Sequence, residues 1–307
     1  MEVYLTFDDG IQSGTEEVLK VLKANTVNAT FFLTGLFTGY EFKRDWKKSA
    51  QVLKDIYLYH AIGNHSFSHA NEYYTSYYKD GLLINNEGKR RTVTEDFLLN
   101  KHQLNNYLAS ICTPTTINHD FLLAANQQTQ LARLPGRNVW RCGIKSSHTT
   151  NCNRPICSTD ESDTKQGADE LFNTGYQIFG WHKEWHMQFD FSSETRRYQQ
   201  QRIATGQMDY SSSLHTNPDW DMYSPEHNEK DRLTEDFLTV ADKILEMKNE
   251  GKVILLMHDR AFRKSPDNKF KNEAQKLSKL IHQLKAHKVT FKTLDHYYKT
   301  KQTVSIL

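Results

Sequence analysis

Thr6-Phe7-Asp8-Asp9-Gly10 closes a short run in which Val3, Leu5 and Phe7 recur at every second position. That period puts the three apolar side chains on one face of a strand. The strand therefore ends on two adjacent carboxylates, and a glycine breaks it. Like charges held side by side raise one another's pKa unless something positive relieves them. Asp-Gly is also a common turn former. The stretch by itself fits either a solvated turn or a charged site at a strand end.

Working outward from it, Ser13 and Glu16 have the spacing of a capping box, and Val18, Val21 and Leu22 follow as a helical stripe. Ala29 to Leu33 reads as a buried strand, about Lys43 to Tyr59 as a charged helix, and Ala61 to Asn64 as a strand. Residues from Tyr73 to Arg91 lack a period and read as a long loop. Thr94 opens a helix with Phe97, Leu98, Leu104 and Leu108 on its apolar side. Leu131 to Leu134, Tyr176 to Trp181, Val253 to Met257 and Val289 to Leu294 read as further strands. Helices fall at a short segment before Tyr176, at Thr234 to Gly251 and at Ala274 to Leu284. Residues 186–231 are polar and without a period, a loop insertion before the sixth strand. The alternation of about seven strands with helices predicts an α/β fold: a parallel sheet with helical crossovers, closed as a (β/α) barrel with its site at the carboxyl ends of the strands. No linker divides the chain, so residues 1–307 are expected to form one domain.

The chain has 307 residues, 37% of them hydrophobic, enough for a substantial core, and a formal net charge of +2. So small a charge argues against nucleic acid and anionic membranes as partners. No apolar run is long enough to span a bilayer, and oligomeric state leaves no signature. The first strand starts almost at Met1, so the protein is expected to be either cytosolic or a form whose leader has been removed. Cys142, Cys152 and Cys157 cluster in a polar segment and Cys112 lies apart. A disulfide among the clustered three is expected, which would put the protein outside the cytoplasm.

His65 and His69 flank Ser66-Phe67-Ser68. If that segment turns helical, both imidazoles share a face and can grip one metal ion. Fourteen histidines in the chain also make such a pair a matter of chance. With one carboxylate the pair makes a three-ligand set that leaves positions open for water, and the second carboxylate is free to take a proton.

Together, Thr6-Phe7-Asp8-Asp9-Gly10 and His65-Ser66-Phe67-Ser68-His69 resemble the polysaccharide deacetylases of the NodB-homology group, carbohydrate esterase family four. Ala29-Thr30-Phe31-Phe32-Leu33-Thr34-Gly35 is similar to that family's second strand, Arg133-Leu134-Pro135-Gly136 to its third motif and Leu255-Leu256-Met257-His258 to its last. The resemblance implies a distorted (β/α) barrel of seven strands. It implies Asp9, His65 and His69 as ligands of a divalent metal, usually zinc with cobalt or nickel as substitutes. It implies Asp8 as general base, His258 as general acid, Arg133 as the residue that orients the base, and the Gly136 N–H as donor to an oxyanion. Leu256 is expected to wall a pocket for the acetyl methyl. Two departures stand out: Arg137 occupies a position where the family has glycine, and Trp181-His182-Lys183-Glu184-Trp185 replaces an Asp-x-x-Asp-Trp motif. Glu184 is expected to take the second acid's part and Trp185 to keep the aromatic wall against substrate, while Trp181 has no acid to offer. The implied activity is removal of N-acetyl groups from an amino-sugar glycan outside the cytoplasm. The alternatives are a carbohydrate-binding protein of the same fold without turnover and a hydrolase of a non-sugar amide.

Overall fold

The computed structural model describes residues 1–85, 87–111, 130–142, 161–185, 187–189, 232–262 and 273–297. In chain order, β1 (Glu2–Asp8), α1 (Thr15–Ala24), β2 (Thr30–Leu33), α2 (Gly35–Arg44), α3 (Trp46–Tyr59) and β3 (Ala61–Asn64) come first. A 3-10 turn (His69–Glu72), α4 (Tyr74–Asp80), the hairpin β4 (Leu82–Leu83) and β5 (Arg90–Arg91), and α5 (Val93–Ile111) follow. Next are β6 (Leu131–Ala132), α6 (Glu161–Asn173), β7 (Gln177–Ile178), β8 (Lys183–Glu184), β9 (Met187–Phe189) and β10 (Arg232–Thr234). The last described elements are α7 (Phe237–Leu245), β11 (Lys252–His258), α8 (Glu273–Ala286) and β12 (Thr290–Phe291).

Seven strands pair in parallel in the order β7-β6-β3-β2-β1-β11-β8. The two ends of that row, β7 and β8, are joined by residues 179–182 alone, and so short a link obliges the row to curl round on itself. The result is the expected distorted (β/α) barrel. The alternation in β1 then has a physical meaning. Val3, Leu5 and Phe7 lie under the helices, packed with Val18 and Leu22 of α1, Ile56 of α3, Ile244 of α7 and Leu280 of α8. Tyr4 faces the barrel interior with Phe32, Leu131, Phe179 and Ile254. Phe7 stacks on Phe31 with ring centroids 5.1 Å apart, a geometry worth about 0.5–1.5 kcal/mol beyond area burial.

Register aligns the strand ends. Asp8 pairs with His258 and with Phe32, Leu33 with Asn64, and Asn64 with Ala132. Asp9, Thr34, His65, Arg133 and His258 thereby issue from one end of the sheet, the carboxyl end, where parallel barrels carry their sites. Gly63 is required just below: a Cβ there would meet the Phe32 ring at 2.4 Å, so only glycine lets that ring turn inward.

Several expectations need correcting. The seventh parallel strand is Lys183–Glu184, while the expected Val289 to Leu294 strand shrinks to Thr290–Phe291, which pairs with the start of β1 off the main row. The supposed loop from Tyr73 to Arg91 contains α4 and a hairpin. The charged helix is α3 and starts at Trp46 rather than Lys43: Lys43 and Arg44 end α2, and the Asp45 side chain accepts the Lys48 N–H and caps α3. No capping box forms at Ser13: the cap position of α1 is Gly14. Of the insertion at 186–231, β9 alone is described. Cys112, Cys152 and Cys157 lie outside the described residues, and Cys142 is buried. Among the described residues no helix is long and apolar enough to cross a membrane.

Candidate active site

Asp8 is held from below. Arg133 sends its Nη1 to Asp8 Oδ1 at 2.8 Å and to Thr6 Oγ1 at 2.8 Å, its Nε to the Phe179 carbonyl and its Nη2 to the Gly180 carbonyl. The guanidinium lies 4.3 Å from the centroid of Phe32 and 5.7 Å from that of Trp181, and the residue is fully buried. These contacts bear on the departure at Trp181-His182-Lys183-Glu184-Trp185. Where an acid would offer a charge, the chain offers two carbonyls and two aromatic faces, which satisfy a buried cation by hydrogen bonds and cation–π attraction. Burial lowers the Arg133 pKa, while the Asp8 and Glu184 carboxylates push it back up. Glu184 is buried on β8. Burial also raises the Asp8 pKa, against the opposing pull of Arg133 and His258.

Asp9 is a different environment one residue later. Its φ of 75° turns the chain out of the strand. Its Oδ1 is buried and accepts no hydrogen bond among the described residues. His69 Nε2 stands 3.2 Å from that oxygen and His65 Nε2 3.5 Å from it. The three ligand atoms lie within 4.8 Å of one another, a spacing that suits one cation. Asp8 Oδ2 is 3.6 Å from His65 Nε2, and His258 Nε2 is 4.0 Å from Asp9 Oδ2. The Asp9 carboxyl would be raised by burial, but the His69, His258 and His65 imidazoles bring it below the usual range. His65 is pushed down to about 3, chiefly by burial. A neutral imidazole beside an ionised carboxylate is the protonation pattern a metal requires. The second ring nitrogen of His65 meets the Arg133 carbonyl at 2.8 Å, which fixes the ring with Nε2 toward Asp9. An orphaned buried oxygen facing two imidazoles, one of them fixed by a backbone carbonyl, fits a divalent cation.

The helical turn expected between the two histidines is absent. Ser66 has φ 66°, and His69, Ala70 and Asn71 have φ 52°, 55° and 50°. The loop is left-handed at both ends, and the imidazoles still converge, with ring centroids 5.1 Å apart.

The other anticipated residues divide. Gly136 has φ +63°, and a Cβ there would meet the Tyr74 ring at 2.7 Å, so glycine is required. The Tyr74 ring in turn lies 5.9 Å from that of His69, which puts Gly136 one aromatic ring away from the histidine pair. Arg137 is buried beside it, paired with Asp163 at 3.0 Å and set against Tyr74 and Tyr78, so the residue in the glycine position anchors the loop to α4 and α6. Leu256 is buried within β11. Trp185 does not form an open wall. It is fully buried, edge-on to Phe262 in the helix-covered core, and its Nε1 donates to the Glu235 carbonyl. His182 is likewise structural: its Nδ1 accepts the Ile254 N–H at 2.9 Å.

One residue escaped the sequence reading. Asp259 is fully buried next to His258 and accepts a hydrogen bond from the Thr15 hydroxyl. Burial raises its pKa to about 7, with Thr15 opposing and the Asp9 and Asp8 charges adding. Its position directly after His258 was the available signal.

Residues 1–132 match the family model described as polysaccharide deacetylase. Two curated relatives align over short stretches. The peptidoglycan-N-acetylmuramic acid deacetylase PdaA of Bacillus subtilis (strain 168) is 45% identical over 69 residues, covering 22% of this chain and 23% of PdaA. An uncharacterized 30.6 kDa protein of Geobacillus stearothermophilus is 41% identical over 70 residues, covering 22% of this chain and 23% of that protein. Among solved structures, the catalytic domain of a peptidoglycan N-acetylglucosamine deacetylase from Eubacterium rectale is 17% identical with a TM-score of 0.48, covering 95% of this chain and 88% of its own. The structure of B. subtilis PdaA is 20% identical with a TM-score of 0.41, covering 96% and 79%. The family match thus spans residues 1–132, the part of the chain that carries Asp8, Asp9, His65 and His69.

Proposed function

We propose that this protein hydrolyses the N-acetyl amide of amino-sugar residues in a glycan, with Asp9, His65 and His69 holding a divalent cation, zinc in the first instance and cobalt or nickel as substitutes. The observation that carries the reading is the convergence of the Asp9, His65 and His69 ligand atoms within 4.8 Å, beside a second carboxylate fixed by a buried arginine. Bound there, the cation supplies Lewis acidity, which lowers the pKa of water and polarises a carbonyl.

The roles of the protein groups follow from their surroundings. Arg133 occupies Asp8 Oδ1, so Oδ2 is the oxygen left to take a proton from water. Burial makes that carboxylate more basic than an exposed one, as a general base needs. His258, level with Asp8 across the β1–β11 pair, is the acid that protonates the departing amine. The Gly136 N–H is assigned to the developing oxyanion, and the Arg137–Asp163 pair holds its loop in place. Leu256 is assigned to the acetyl pocket. Relatives named for peptidoglycan make that polymer the first substrate to try, and it would place the protein outside the cytoplasm.

The test is acetate release from peptidoglycan, chitin oligomers and small acetylated esters, by purified protein before and after chelation and after zinc or cobalt is restored. Release that disappears with chelation and returns with metal is expected. No release from any of these by metal-loaded protein would overturn the proposal and leave a glycan-binding protein without turnover.

A further inference from the structure

Between His65 and His69 the backbone adopts a conformation that L-residues avoid, with Ser66 and then His69 to Asn71 at positive φ. Something must over-determine it, and the polar groups of the loop point to what does. Ser66 donates its N–H to Asn64 Oδ1, His69 donates its N–H to Ser66 Oγ, and Asn71 donates to the Ser68 carbonyl. The first residues of α2 donate to the loop from the other side, Gly35 to the Ser66 carbonyl and Leu36 to the Phe67 carbonyl. Two further loop N–H groups, those of Phe67 and Ser68, go to a single residue, Asp96. Its carbonyl accepts the Phe67 N–H, and its Oδ2 accepts the Ser68 N–H at 3.2 Å.

The same carboxylate oxygen accepts the Ser68 hydroxyl at 2.7 Å and the Tyr77 hydroxyl at 3.1 Å. Oδ1 takes Arg91 Nη1 at 3.0 Å, and the Arg91 guanidinium lies 5.5 Å from the centroid of Phe67, in the middle of the loop. Asp96 is fully buried. A buried carboxylate with four donors of this kind is costly to disturb, because removing it strands the donors. None of these atoms touches the cation site. What they fix is the backbone on which His69 stands; Asn64, which precedes His65 and accepts the Ser66 N–H, is a separate anchor of the loop. Asn64 in turn accepts the Asn100 amide at 2.8 Å and donates to the Phe97 carbonyl at 2.8 Å, so both anchors lead back to α5.

We infer that Asp96 is a positioning residue that presets the His65–His69 pair before any cation arrives, and so sets the affinity of the site. The inference rests on the metal-site assignment proposed above and adds to it the source of its preorganisation. A ligand pair built on an unsupported left-handed loop would have to be ordered at the moment of binding. That ordering cost is removed when the scaffold pays it beforehand. Supporting groups around metal sites commonly change affinity by about 10–100-fold when mutated.

The experiment measures the Co²⁺ and Zn²⁺ dissociation constants of the full chain by chelator competition, together with melting temperatures with and without metal. Wild type is compared with Asp96→Asn, Ser68→Ala and Tyr77→Phe. For Asp96→Asn we expect affinity to fall by about tenfold or more and the metal-induced rise in melting temperature to shrink. Ser68→Ala and Tyr77→Phe, which leave the carboxylate in place, are expected to lose less. If Asp96→Asn does not fold, the two milder variants carry the test, and wild-type affinity in both overturns the inference. A folded Asp96→Asn protein with wild-type affinity also overturns it. So does one whose melting temperature falls equally with and without metal, since that is a purely structural role. Wild-type protein that binds neither cation would instead sink the metal assignment, and this inference with it.

Discussion

Two sides of the site are built in different ways. The Asp8–His258–Arg133 side follows from regular structure: Asp8 and His258 are partners in a seven-residue parallel register, and Arg133 rises from the end of β6 to meet them. The His65–His69 side rests on a left-handed loop, held by hydrogen bonds from α2, Asn64 and Asp96. Asp8 and Asp9 stand on the seam between them. Adjacent in sequence, they are displaced in opposite directions, Asp8 raised by burial and Asp9 drawn down, against its burial, by three imidazoles. On the proposed function, a pair of identical acids thus divides into a base and a ligand because one remains in the strand and the other turns out of it.

The largest expected effect separates the two sides directly. Asp8→Asn should lower hydrolysis by about 10²–10⁴-fold, the range for loss of a positioned acid or base, while zinc affinity survives. His65→Ala should lose both binding and turnover. Equilibrium dialysis with zinc, alongside acetate release, checks the pair, and equal metal loss in the two variants would mean that the carboxylates share a single role.

Next comes Arg133→Met, which removes a buried cation and leaves Asp8, two carbonyls and Thr6 without their donor. Breaking one partner out of a buried pair costs about 3–5 kcal/mol, to be read from urea unfolding of the metal-free protein. The variant keeps its backbone carbonyl, which orients His65. Metal affinity should therefore stay near wild type although stability and turnover fall. A parallel loss of affinity would show that the two sides are one unit.

The same division explains what could be read from the chain. Asp8, Asp9 and His258 were legible because they close strands with a clear period, and the strand-end position of each predicts where its side chain goes. Lys183–Glu184 was missed and Val289 to Leu294 overestimated because a two-residue strand has no period; its pairing is decided by the neighbouring strand. The His65–His69 pair was found by spacing, but through a helical turn that does not exist. Of the groups that hold the real loop, the Asp96 carboxylate and carbonyl come from α5, far along the chain, and nothing local announces them. Trp185 illustrates the other limit: an aromatic beside an unusual motif suggests a sugar platform, whereas Phe262 and the Glu235 carbonyl draw it into the core. Trp181 fills the place of a missing acid, and its ring over Arg133 is evident only once the fold brings residues 133 and 181 together.

The smallest effect concerns two histidines outside the site, which mark the contrast between ligands and structural imidazoles. His60 and His182 each accept a backbone N–H on Nδ1, from Ala29 at 3.2 Å and Ile254 at 2.9 Å. Burial lowers both to about 4, with the Arg133 charge contributing at His182. A histidine with a depressed folded pKa stays neutral in the native state while the unfolded chain takes up a proton near 6.5. The stability linked to each is therefore present above pH 6.5 and is lost as pH falls toward 4. For His60, going from pH 7 to pH 5 should cost about 2 kcal/mol. His60→Asn keeps an acceptor for the Ala29 N–H but does not titrate, so the metal-free variant should lose less stability than wild type over that interval. Urea unfolding at the two pH values measures the difference. An unchanged interval would mean that the imidazole is already protonated in the native state at pH 5, and that its hydrogen bond to Ala29 is not what keeps it neutral.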